Sequence, residues 1–83
     1  MTPQEKAQAG LAQLKQAILD FVAAHPEGCR NVEIAEALGI RSDFEEGQKD
    51  YLSWSLLGLL VGEEKVRYEV IGNKRRYFLR THR

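Results

Sequence analysis

The run Lys74-Arg75-Arg76 holds the side chains of this chain best suited to act on a partner. Three successive cations attract phosphate or another polyanion by charge alone. Basic residues on an edge strand also discourage sheet aggregation, which is the plainer role for such a run. Catalytic chemistry has much less to work with. His25 lies just before Pro26, His82 lies in the tail, and Cys29 is the only cysteine. These are too few and too scattered for a zinc set, and nothing assembles an acid, a base and a nucleophile. No Gly-rich phosphate loop follows a strand. The expectation is a domain that is not an enzyme, with no metal, no cofactor and no small-molecule ligand.

The chain of 83 residues fits one small domain, with net stability of roughly 4–8 kcal/mol on the usual per-residue scale. Its formal net charge is zero, but the charges are unevenly placed. Residues 1–64 carry 5 Lys/Arg against 11 Asp/Glu, whereas residues 65–83 carry 7 Lys/Arg against Glu69 alone. A basic C-terminal end of this kind points to a polyanion, unless the two halves simply pair with each other in the fold. Residues 1–10 are polar and lack an apolar signal core. The longest apolar run, residues 56–61, is interrupted by Gly58 and is too short to span a bilayer. A cytoplasmic setting and no membrane partner are expected.

The elements that must position the cations can be read from periodicity. Residues 1–3 are expected to fray. Ala7, Leu11, Leu14, Ile18, Phe21 and Val22 make one helical stripe over residues 4–24, ended by His25-Pro26-Glu27-Gly28. Cys29-Arg30 is a short connection or a very short first strand. Asn31 is a good N-cap, and Ile34, Ala35 and Leu38 bury a second helix over residues 32–38, closed by Gly39. A third helix is expected over residues 46–62, with Leu52, Leu56, Leu59 and Leu60 toward the core. Tyr51, Trp54, Leu57 and Val61 form a second apolar strip beside it. Trp54 is expected to pack against the first helix, with a homodimer face as the second alternative and stacking on nucleic acid as the third. Residues 65–71 alternate, Gly72-Asn73 turn, and residues 74–80 return as a basic strand. Tyr77 and Leu79 are expected to face the core, with Phe78 opposite. The fold class is α+β, with three helices followed by a two-stranded antiparallel hairpin.

The segments NVEIAEALGI (residues 31–40), LLGLLVGEEKV (56–66) and YEVIGNKRRYFL (68–79), in that order, resemble the winged-helix family over about residues 5–80. The resemblance implies a helix-turn-helix whose third helix enters the major groove of double-stranded DNA, with the hairpin as a wing on the phosphates. On that footing Gln48, Lys49 and Ser53 would reach base edges. Arg67, Lys74, Arg75 and Arg76 of the wing would hold phosphates, and Arg30 and Asn31 precede the second helix, whose N-terminal amides would meet a phosphate. The implied role is a transcriptional regulator or an accessory DNA-binding module, acting as a homodimer or within a larger complex.

One departure from the family pattern bears on docking. Asp43, Glu45, Glu46 and Asp50 surround the end of the third helix that would read the groove. Acids against a phosphate backbone oppose binding, so the charge pattern favours docking led by the wing. The competing reading is a winged helix that binds protein, through the acidic loop and the strip of Trp54, Leu57 and Val61.

Overall fold

The computed structural model describes residues 1–42 and 50–80. The chain is α+β: α1 (Pro3–Ala23), α2 (Asn31–Ala37) and α3 (Tyr51–Gly62) are followed by an antiparallel hairpin of β1 (Val66–Ile71) and β2 (Lys74–Leu79). This is the winged-helix-like layout expected from the sequence. The very short first strand expected near Cys29 is a single bridge, in which Cys29 N donates to Tyr77 O at 3.0 Å and Tyr77 N donates to Cys29 O at 2.8 Å.

Each helix end has a local cause. α1 begins three residues into the chain rather than fraying, because Thr2 and Glu5 form a capping box around Pro3 at the first helical position. The T-P-Q-E pattern carried that signal in the sequence. Helix α2 is capped one residue earlier than expected, at Arg30, whose N–H donates to the Glu33 carboxylate at 2.7 Å. Its C-terminus closes with Ile40 N donating to Ala35 O at 2.9 Å and Gly39 N donating to Glu36 O at 3.2 Å, the paired bonds of a Schellman motif. α3 closes in the same way, with Glu64 in the left-handed position (φ 61°). The expected start of the third helix, residues 46–49, lies outside the described residues. Asp50, with φ 59°, stands before the first turn of α3 and does not continue it backwards.

Ile18 and Val22 of α1, Ile34 of α2, Leu56, Leu57 and Leu60 of α3, Val66 and Tyr77 form the core. Two expected assignments fail here. Leu52 and Leu59 are 41% and 46% exposed, while Leu57, expected on the outer strip, is fully buried. Helix α3 therefore buries the face of Ser53, Leu56, Leu57 and Leu60. Ala7 also lies exposed, at the outer end of α1. Lys15 of α1 is ion-paired to Glu63 beyond α3, which pulls the Glu63 carboxyl below its ordinary value.

The hairpin pairs Val66 with Leu79, Tyr68 with Tyr77 and Ile71 with Lys74 around a two-residue turn. Gly72 has φ 67° and Asn73 has no positive φ, the pattern of a type II′ turn with glycine at its first central position. Tyr77 faces the core as expected, whereas Leu79 on the same face is 38% exposed. Phe78 lies on the opposite face beneath the Arg67 guanidinium, 4.4 Å from the ring centroid.

Cys29 sits buried in the bridge to Tyr77, its thiol 3.9 Å from that residue's carbonyl oxygen. Burial, helped by the nearby Glu33 and Glu27 carboxylates, pushes the thiol pKa up to about 11. The neutral thiol is thus favoured by folding. Its contribution is full below the unfolded value near 9 and is lost as pH rises toward about 11. Native protein at pH 8 is expected to resist iodoacetamide, with alkylation appearing only at denaturant concentrations that unfold the domain. Rapid modification of folded protein, followed by mass spectrometry, would contradict this placement.

Candidate nucleic-acid interface

The polar side chains at the junction of α2 and α3 are occupied in holding the two helices together. Asp50 is 2% exposed; its carboxylate accepts from Arg41 Nε at 2.9 Å and from Ser42 N at 3.3 Å. Ser42 in turn caps α3, its hydroxyl accepting from Leu52 N at 3.2 Å. Across the junction the Ser53 hydroxyl donates to Asn31 Oδ1 at 2.5 Å, and the Asn31 amide donates to Asp50 O at 3.1 Å. Every buried side-chain nitrogen and oxygen among the described residues has a partner. These bonds satisfy polar groups that would otherwise be costly to bury.

This network removes one of the expected base contacts. Ser53 is fully buried and cannot reach a base edge. Asn31 spends its side-chain amide on Ser53 and Asp50, yet it stays half-buried and lines the cleft described below. Gln48 and Lys49 lie outside the described residues. The twelve residues of α3, YLSWSLLGLLVG, hold no charged side chain and no amide side chain. Such a helix has none of the forked donors and acceptors that read base edges in the major groove.

Strand alternation divides the basic run. Arg76 lies on the face of Phe78 and Arg67, where it donates to Gly28 O at 3.0 Å. Arg67 on that face pairs with Glu69 at 3.0 Å. Arg75 lies on the other face, its guanidinium 4.3 Å from the Tyr68 ring centroid. There it borders a cleft of about 430 Å³ between the start of α2, the start of α3 and β2. Arg30 and Lys74 stand at this cleft with Arg75, and Trp54 and Tyr77 supply aromatic surface. No ion pair to an acid engages Arg30, Lys74 or Arg75 among the described residues. Asp50, the one acid lining the cleft among the described residues, already carries the bond from Arg41.

Trp54 was expected against the first helix. It is instead 50% exposed, on the side of α3 that faces the wing, with the Tyr51 ring 6.0 Å away. A second, smaller cleft of about 180 Å³ continues between Trp54, Gly58, Val61 and Tyr68. Of the expected interaction strip, Trp54 and Val61 border this opening, whereas Leu57 points into the core. Tyr68 is not among the residues expected at the interface, yet it lines this opening. Its place opposite Tyr77 and two pairs from Arg75, on the same face, follows from the hairpin register.

No group of three or more His, Cys, Asp or Glu among the described residues could hold a metal ion. Nor is any described helix long and apolar enough to cross a membrane. Comparison with known proteins gave no matching family model, no similar curated protein and no similar solved structure.

Proposed function

We propose that this chain is a winged-helix domain that binds double-stranded DNA, docking through the hairpin and the start of α2 and not through α3 in the major groove. The observation that carries this reading is the gathering of Arg30, Lys74 and Arg75 at one cleft without acidic partners among the described residues. Cations placed so can neutralise phosphates and release their counterions, the main source of affinity in such contacts. The described residues of α3 carry no charged or amide base-edge reader, which supports binding that depends weakly on sequence. One copy offers a small interface, so useful affinity calls for a dimer or a fused partner, in a regulator or an accessory module of a DNA-processing protein.

With about three phosphates neutralised, affinity for a random duplex should fall about 40-fold between 50 and 200 mM salt. Fluorescence anisotropy of a labelled duplex measures this directly. Absence of binding at the lower salt would reject the proposal. A protein-binding role is the second reading. It is favoured by the uncharged outer face of α3, where Leu52 and Leu59 remain exposed. A mass that rises with concentration and drops in a Leu59→Glu variant, without DNA binding, would favour that role.

A further inference from the structure

We infer that the cleft beside Trp54 receives an unpaired DNA base, so that the protein prefers duplexes carrying a single-stranded extension to blunt duplexes. The inference rests on the DNA-binding reading above and specifies its substrate.

Trp54 is half exposed at the mouth of a cleft that also holds three cations free of acidic partners among the described residues. An intact duplex offers phosphates and base edges to its surroundings, but its base faces are covered by their neighbours in the stack. An indole at the groove wall of a duplex would have only edges and sugars to touch. An unpaired base presents its π-face, and aromatic platforms beside a basic track are how proteins hold such strands. Both parts are present here. The Arg75 guanidinium is fixed on the Tyr68 ring at 4.3 Å, so the cation and the aromatic surface are held in one arrangement. Asp50 does not oppose an incoming phosphate as a free carboxylate would, because Arg41 and the Ser42 N–H engage it. The cleft of about 430 Å³ is of the size that takes a small planar ligand. The lack of charged and amide side chains on α3 points the same way, since stacking needs none.

The chain has a single tryptophan, so its emission reports on this cleft alone. The test compares a blunt duplex with the same duplex bearing a short oligothymidine extension, at low salt, following both anisotropy of the DNA and tryptophan emission. The extension is expected to tighten binding about tenfold and to quench the emission. Trp54→Ala should erase the preference for the extended duplex, and Trp54→Phe should keep part of it, with circular dichroism confirming that both variants fold. Equal affinity for the two duplexes with unchanged emission of the unmodified protein would overturn the inference and leave duplex binding standing. Failure of both DNAs to bind would overturn the inference together with the reading on which it rests.

Discussion

Reversing two charges at the head of β2, Lys74→Glu with Arg75→Glu, is expected to weaken duplex binding at least about 100-fold at low salt, since like charges set against each other cost several kcal/mol. The salt slope should fall by about two, one for each phosphate contact removed. Both residues are exposed and free of acidic partners among the described residues, and away from the core such changes move stability by only about 0.5 kcal/mol. The loss should therefore appear in titration while the thermal midpoint stays nearly constant. Arg67→Glu separates the two faces of the wing. Arg67 lies on the far side, paired to Glu69 and spread over Phe78, and its reversal should change affinity only a few-fold, through long-range charge. Equal losses from the two reversals would show that the wing approaches DNA by its tip or by both faces, and not through the Trp54 cleft.

The largest effect on stability is expected at Gly28, which lies just before the bridge to Tyr77 and has φ 89°. A Cβ there would come within 2.6 Å of Arg76 Cγ and 2.7 Å of the Phe78 ring. Neither neighbour can yield easily. The ring is covered by the Arg67 guanidinium, and Arg76 is tied to the Gly28 carbonyl. Left-handed backbone costs an L-residue about 1–2 kcal/mol and overpacking adds about 1–3 kcal/mol. Gly28→Ala should thus remove about 2–5 kcal/mol, much of the stability of a domain this small, and lower the thermal midpoint by at least about 10 °C. Calorimetry or a circular-dichroism melt measures it. A midpoint shift of only a degree or two would mean that the connection moves away from β2 without loss. Because Gly28 sets the wing against the rest of the fold, the same variant should bind DNA more weakly than its folded fraction alone would explain.

Much of this fold was legible residue by residue. The buried side of α2, its Gly39 stop, the extent of β1 and the Gly72-Asn73 turn are local properties, and each appears where the pattern placed it. The start of α1 was legible too, in the T-P-Q-E capping pattern that the periodicity of the later turns overshadowed. The orientation of α3 was not. A helix that is apolar nearly all round has no polar side to mark the solvent, so spacing alone could not choose between Leu57 and Leu59 for the core. Ser53 misled for a related reason. A hydroxyl is normally placed outside, and it is buried here because Asn31, from another helix, supplies its hydrogen-bond partner.

By itself, the sequence determined the order of three helices and a hairpin, and the concentration of positive charge at the C-terminal end. Those features depend on neighbours a few residues apart. Which cations act together depends on contacts distant in sequence. Arg76 is drawn to Gly28 on one face, while Arg75 joins Arg30 and Trp54 at the cleft on the other. Only the tertiary structure could decide this. A strand sends successive side chains to opposite faces, and the packing of each face on α2 and α3 settles what those side chains meet.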